Sequence, residues 1–370
     1  MSALSELIAD RIRSSGPISF AEYMELSLYH PTLGYYARAP QRTGRAGDFF
    51  TSVDVGPIFG QLLARQFGEM RHILQSEQFD LVEAGAGSGR LARDILDAAQ
   101  RDDPEFYSAV RLSLVESSAS ARAAHADTLG PHAPLLDHSG AALPQTITGV
   151  VFANELLDAL PTHVAVMTDN GLREVFVDVG PDHGESASQF VERLDELSTP
   201  RIAQYLARAG AEMRVGWRAE VTLAAEDWIR QASVSLQQGF LVLVDYGHEE
   251  QELFSASHAT GTLTSFAMHT ASNDVLDDPG ERDITAHVDL TAVTRAAEQS
   301  GLDVIARLDQ TYFLLGLGLP QLEHLTLKQR LAMKTLLLPG GLGSTHKVLI
   351  FGKGVGRPSL MGASYRVRLT

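Results

Sequence analysis

The chain has 370 residues, 44% of them hydrophobic and none in an apolar run approaching the eighteen or so a membrane helix needs, so it reads as soluble, with room for one large α/β domain plus an appendage or for two domains. Its formal net charge of −16 opposes nucleic-acid phosphates and favours a cationic ligand. The lack of any cysteine excludes disulfides, thiolate zinc sites and cysteine nucleophiles.

The opening "MSALSELIADRIRSSGPI" has the spacing of an amphipathic helix with both charge signs. It lacks the apolar centre of a signal peptide and the acid-poor composition of a transit peptide, and a cytoplasmic protein is expected. Apolar spacings of three and four continue in "AEYMELSLY" and "PIFGQLLARQFGEMRHIL", so residues 1–75 read as an N-terminal helical region. Between them "ARAPQRTGRAG" has no pattern and reads as a mobile loop.

From residue 79 the texture changes to short β-rich runs alternating with helical stretches, and this pattern holds to residue 353. The runs are "FDLVEA", "VRLSLVES", a weaker "APLLDHS", "GVVFAN", "GFLVLVDYG", "LDVIARLDQTYFLLGL" and "HKVLIFGKG". They predict an α/β domain whose sheet has about seven strands, mostly parallel. "HVAVMT" and "REVFVDV", joined across "DNG", predict a hairpin inserted at about 162–180. Helical insertions are expected at about 270–300 and 318–340, with polar loops over 181–188 and 270–282. Residues 354–370 read as a loose tail, and Trp217 and Trp228 as core residues of one helix.

The chemistry starts at "LVEAGAGSGRL", residues 81–91, a glycine-rich turn between the first strand and a helix, where backbone can approach a ligand closely. The glycines are Gly85, Gly87 and Gly89, with Ala86 between the first two. Arg90 occupies the place of the third glycine in a dinucleotide fingerprint, and the lysine of a phosphate-binding loop is missing. A nucleoside without a phosphate chain fits better. Glu116, at the end of the second strand, is placed to accept hydrogen bonds from both ribose hydroxyls, and Glu83 ends the first strand beside the same crevice. Two acids repel a pyrophosphate but suit an ammonium and a sulfonium, which points to S-adenosyl-L-methionine, with S-adenosyl-L-homocysteine as product.

A second group follows "GVVFAN": Asn154 and Glu155 at a strand end, and Asp158 three residues further on, facing the expected position of the methyl group. A plain helix cap is the competing reading of Asn154 and Glu155. In "DITAHVDL", Asp283, His287 and Asp289 read as hydrogen-bonding or capping residues, and no metal is expected.

These motifs occur with "YHPTLGYY" (29–36), "GDFFTS" and then "PIFG" (47–60), "ANELLDALP" (153–161), "DYG" (245–247) and "DPGERDITAHVDL" (278–290). In that order they resemble the MidA family of S-adenosylmethionine-dependent methyltransferases, which includes the mitochondrial complex I assembly factor that methylates arginine. The chain departs from the family at Ala86, Arg90, Val53 and Asp54. The resemblance implies a class I methyltransferase (Rossmann-like) fold with helical elements over the cofactor. It also implies a lid in which Asp48, Phe49 and Phe50 meet substrate and Thr51 and Ser52 meet cofactor, with Asp283 as a further wall of the substrate pocket.

On that resemblance the expected activity is protein arginine methylation, with Asn154, Glu155 and Asp158 at the reacting centre and Asp289 as an auxiliary. His287 would serve as base for a hydroxyl acceptor. The expected partner is a protein or peptide substrate, a respiratory-complex subunit among the candidates, with no nucleic acid and no membrane insertion; a homodimer is open. Methylation of a small molecule or peptide at oxygen or nitrogen, a non-catalytic assembly factor, and a dinucleotide oxidoreductase are the alternatives, the last disfavoured by Arg90.

Overall fold

The computed structural model describes residues 2–38, 53, 55–180, 190–267, 270–272, 274–322, 325–337 and 342–365. Seven strands form the central sheet: β1 (Phe79–Ala84), β2 (Val110–Val115), β3 (Leu136–Gly140), β4 (Ile147–Asn154), β5 (Leu236–His248), β6 (Asp303–Asp309) and β7 (His346–Lys353). Their spatial order is β3-β2-β1-β4-β5-β7-β6, with the short strand Val288–Asp289 paired to the far end of β5. The first five run parallel, and β7 lies antiparallel between β5 and β6.

The parallel strands are buried on both faces, which favours continuous apolar runs. All six residues of β1 are buried. Leu81 packs into one core with helices α3 (Ile58–Leu74) and α4 (Arg90–Asp102), the third and fourth long helices of the chain after α1 (Ala3–Ser15) and α2 (Phe20–Tyr29). Its neighbours Val82 and Ala84 pack into a second core with α6 (Leu223–Ser235) and α7 (Leu290–Gln299), which follow α5 (Ala119–Leu129). The strand order reverses between β1 and β4. Ligands of open α/β sheets bind at that reversal, beyond the carboxyl ends of the strands.

Several sequence expectations change in the folded chain. The predicted hairpin forms, as His163–Thr168 and Gly171–Val179, but it belongs to a five-stranded antiparallel sheet with Ile18–Ser19, Phe190–Asp195 and Arg218–Val221. Ile8, Ile12, Phe20, Met24 and Leu28 of α1 and α2 share its core with Val164, Val175 and Val177. The N-terminal helices are thus part of a second packed layer. The insertion expected as helical from about 270 begins as strands, since Thr270–Ser272, Thr264–Ala267 and Asp283–Thr285 make a small antiparallel sheet, and helix starts only at Leu290. The run "LDVIARLDQTYFLLGL" divides into β6 and a helix, Gln310–Gly316, because Phe313 and Leu314 turn into the core.

The tail docks against α3 at Leu360–Gly362. Leu360 is 2% exposed, and the backbone N–H groups of Met361 and Gly362 donate to Glu69 Oε2 (2.8 Å) and Gln66 Oε1 (3.0 Å) of α3. Trp217 precedes the strand Arg218–Val221 and only Trp228 lies on α6. Among the described residues no helix is long and apolar enough to cross a membrane. The polar loop 181–188 lies outside the described residues, as does most of the loop between α2 and α3.

Candidate active site

A cavity of about 770 Å³ opens at the carboxyl ends of β1, β2 and β4. That is within the roughly 300–1,000 Å³ of ordinary ligand sites. Glu83, Gly85, Ala86, Gly87, Glu116, Asn154 and Glu155, seven of the residues singled out in the sequence, line it together.

The glycine loop is fixed at both ends. The N–H groups of Gly85 and Ala86 donate to the Val115 carbonyl at the end of β2 (2.9 and 3.1 Å). The Gly87 N–H donates to Glu116 Oε2 at 2.8 Å, and the Gly87 carbonyl meets His125 Nε2 at 2.9 Å. His125, on α5, is fully buried and its Nδ1 pairs with Ser139 Oγ at 2.9 Å. Burial lowers its pKa. The sequence reading missed it, as a lone histidine in an alanine-rich helix carries no signal.

Gly87 has φ +52°, and a Cβ built on it meets no atom within 4 Å, so the loop leaves open space on its cavity side. Gly89 is different. It does not line the cavity; its φ of +83° and a Cβ that would fall 2.9 Å from Leu114 Cδ1 together favour glycine at the start of α4, a correction to the expected ligand contact.

Glu83 is 4% exposed and accepts from the Ala92 N–H in the first turn of α4 (3.1 Å). Burial nevertheless pushes its carboxyl up to about 8, since removing a carboxylate from water costs more than one such bond returns. Glu116 uses its other oxygen to accept from the Ser118 N–H at 2.8 Å. Arg90 and Arg93 lie on the cavity wall, and so does Val53.

The acidic group at the end of β4 has more depth than the sequence suggested. Glu155 has a left-handed backbone, φ +53°, and its N–H donates to the Val244 carbonyl of β5 (2.8 Å), which turns its side chain into the cavity wall. Asn154 Nδ2 donates to Glu155 Oε1 at 3.1 Å, while Asn154 Oδ1 is buried without a protein partner. Asp158 is buried beneath this wall and does not line the cavity; it meets the Tyr246 hydroxyl, and its Oδ1 has no partner. Asp245, noticed in the sequence only as part of "DYG", accepts from the N–H groups of Leu156 (3.2 Å) and Leu157 (2.8 Å) and so shapes the turn that carries Glu155. Burial raises the pKa of both Asp158 and Asp245, with added repulsion from Glu155 at Asp158 and from Asp158 at Asp245.

Tyr29, Tyr35, Tyr36 and Trp228 add an aromatic wall. Tyr29 donates to the Ala159 carbonyl (3.0 Å), and Tyr36 donates to Asp283 Oδ1 (2.8 Å). Asp283 is 2% exposed and absent from the cavity wall, so it acts by holding Tyr36. His287 and Asp289 also stand outside the cavity. Asp289 caps α7 through the Ala292 N–H (2.8 Å) and accepts from the Tyr205 hydroxyl (2.9 Å), and burial raises its carboxyl to about 6. His287 lines a separate cavity of about 660 Å³ with Tyr246 and His248. Their placement as reacting groups gives way to a cap for Asp289 and a second cavity for His287, because Val288–Asp289 pairs with Gly247–His248 at the end of β5, beyond the crevice. The expected lid residues Asp48, Phe49, Phe50, Thr51 and Ser52 lie outside the described residues.

The strand order, the glycine loop after β1 and the acid after β2 define a class I S-adenosylmethionine-dependent methyltransferase. The donor set fits that cofactor: open space at Gly87, an exposed edge on Glu116, an orphaned polar atom on Asn154 and acids suited to a sulfonium.

Residues 62–307 match the family model described as "Putative S-adenosyl-L-methionine-dependent methyltransferase", and the chain belongs to that family, the MidA/NDUFAF7 methyltransferases. It is 32% identical to the mouse (Mus musculus) protein arginine methyltransferase NDUFAF7, mitochondrial, over 84% of this chain and 72% of that protein. It is 30% identical to the Drosophila melanogaster homolog of that enzyme over 95% of this chain and 85% of the other. A crystal structure of a Burkholderia thailandensis protein bound to S-adenosyl-homocysteine has 30% identity and a TM-score of 0.87, covering 98% of this chain and 94% of its own.

Proposed function

We propose that the protein transfers the methyl group of S-adenosylmethionine to an arginine side chain of a protein substrate. The observation that carries this reading is the placing of Glu155, backed by the buried pair Asp158 and Asp245, on the wall of the cavity that holds the glycine loop. The names of the relatives, which are protein arginine methyltransferases, support it.

The cofactor supplies an electrophilic methyl on a sulfonium. Glu116 would accept from its ribose, while the backbone of Gly85, Ala86 and Gly87, the Glu83 carboxyl and the Asn154 amide would hold its polar remainder. A guanidinium keeps its proton up to a pKa above about 12 and spreads its lone pair over three nitrogens. A carboxylate paired with two of those nitrogens holds the group and draws charge away from the third. Glu155 is placed for that pairing, and Tyr29, Tyr36 and Trp228 offer faces for a planar cation. The attacking nitrogen would gain the methyl as the carbon–sulfur bond breaks to leave S-adenosylhomocysteine, and Glu155, on the wall, would take the proton that the nitrogen loses.

The test is incubation of the purified protein with isotope-labelled methyl donor and a cell extract, followed by peptide mass spectrometry. Labelled monomethyl- or dimethylarginine is expected. Label confined to an oxygen, to lysine or to small molecules would overturn the arginine assignment.

A further inference from the structure

We infer that His248, His258 and His287 form a binding site for a divalent cation of the zinc class. One ring nitrogen from each lies within 4.8 Å of the others. Three imidazoles on a tetrahedral ion, with bonds of about 2.0–2.1 Å, need nitrogens a little over 3 Å apart, a distance reached by small side-chain rotations.

The surroundings select the ring nitrogens that ligation requires. His258 Nδ1 meets the Glu252 backbone carbonyl at 2.9 Å, and His248 Nδ1 faces Glu252 Oε1 at 3.2 Å. A proton on each Nδ1 leaves each Nε2 as a lone pair, which is how an outer carboxylate or carbonyl orients a metal-bound histidine. His287 is held from two sides: its backbone N–H donates to Thr262 Oγ1 (3.1 Å), and Tyr246 packs edge-on against its ring, 5.4 Å between centroids. Its Nδ1 is buried and has no hydrogen-bond partner. Buried polar atoms in native proteins are rarely left unpaired, and an ion would supply what is missing.

The donor chemistry narrows the ion. Three neutral imidazoles with no carboxylate in the set suit zinc, nickel, cobalt or copper and disfavour magnesium and calcium, which take oxygen ligands. The group opens onto the second cavity, whose wall includes His248, His287, Arg307 and Lys347, so a fourth position is available to water or an anion. The three histidines come from the end of β5, the turn Ala256–His258 and the segment before α7. An ion would therefore clamp three otherwise separate stretches and hold Tyr246, whose hydroxyl meets Asp158 under the methyltransferase crevice. This goes past the sequence expectation, which foresaw no metal, and it stands independently of the acceptor proposed above.

The experiment uses tag-free full-length protein, stripped with chelator and dialysed, and titrated with zinc against a chromophoric competitor while metal content is measured by mass spectrometry. One zinc per chain is expected, unaffected by millimolar magnesium, with a raised melting temperature. His258→Ala should weaken zinc binding by about 100-fold or more, and Glu252→Ala by about 10–100-fold, the usual range for an outer partner. Circular dichroism and the metal-free melting temperature of both variants should match the parent, since Glu252 is exposed on the short helix Glu250–Leu253 and His258 is only partly buried on the turn Ala256–His258. Wild-type protein that retains no stoichiometric zinc, or a folded His258→Ala variant that binds as tightly as wild type, would overturn the site.

Discussion

Glu116 Oε2 accepts the Gly87 backbone N–H at 2.8 Å, joining the acid after β2 to the middle of the glycine loop across 29 positions of sequence. One carboxylate thus both lines the cavity and holds the loop. Glu116→Ala should weaken S-adenosylhomocysteine binding by about 1–3 kcal/mol, the scale for hydrogen bonds to a charged group. Isothermal calorimetry checks this, and unchanged affinity would remove Glu116 from the cofactor site.

The loop glycines should separate by substitution. Gly87→Ala adds a Cβ that meets no protein atom, so its stability cost is confined to the left-handed backbone, about 1–2 kcal/mol. Its cofactor affinity should nonetheless fall sharply. Gly89→Ala has the same backbone cost plus a 2.9 Å contact with Leu114, and overpacking of this kind adds about 1–3 kcal/mol. Denaturant melts should rank Gly89→Ala as the less stable of the two, and a reversed ranking would contradict the packing role.

Glu83 gives the stability a pH dependence. Its folded pKa, about 8, lies above its ordinary value of 4.5, so between those values the native state keeps a proton that the unfolded chain has lost. The contribution is fully present below about pH 4.5 and is lost as pH rises through 8. Glu83→Gln should flatten this slope in urea melts at pH 6 and pH 9. A cationic cofactor favours the ionised form, so its binding near pH 7 should release a proton, seen as a buffer-dependent calorimetric enthalpy that Glu83→Gln abolishes.

Glu155 and Asp158 differ in position, and their variants should differ too. Glu155→Gln, on the cavity wall, should lower kcat by about 100-fold while S-adenosylhomocysteine affinity stays near wild type. Asp158→Asn, buried behind it beside Tyr246, should lower kcat less. Full activity in both would clear the pair of any part in methyl transfer.

The tail should matter for stability. Leu360 lies in the same core as α3 and α4, so Leu360→Ala should cost about 2–5 kcal/mol in a chemical melt, as for other buried leucines. A loss near zero would mean that residues 354–365 are not part of the folded unit.

The strands of the central sheet, the glycine loop, Glu116 and the Asn154–Glu155 pair could all be found in the sequence, because each depends on local patterning: apolar runs at the strand period, and glycines or acids at strand ends. The loop and its acids pointed to the cofactor, and the family motifs added the expected acceptor. What no local pattern could give was which distant groups share a wall. His125 under Gly87, Asp245 behind Glu155 and the grouping of His248 with His258 and His287 arise from packing between segments far apart in the chain. The same cause moved Asp289 from the reacting centre to a helix cap, and carried α1 and α2 into the core of the five-stranded sheet. Strand periodicity is set by neighbouring side chains, whereas burial, desolvation and shared cavities are set by how separate elements stack. The first is therefore written in the order of residues and the second is decided only when the chain is folded.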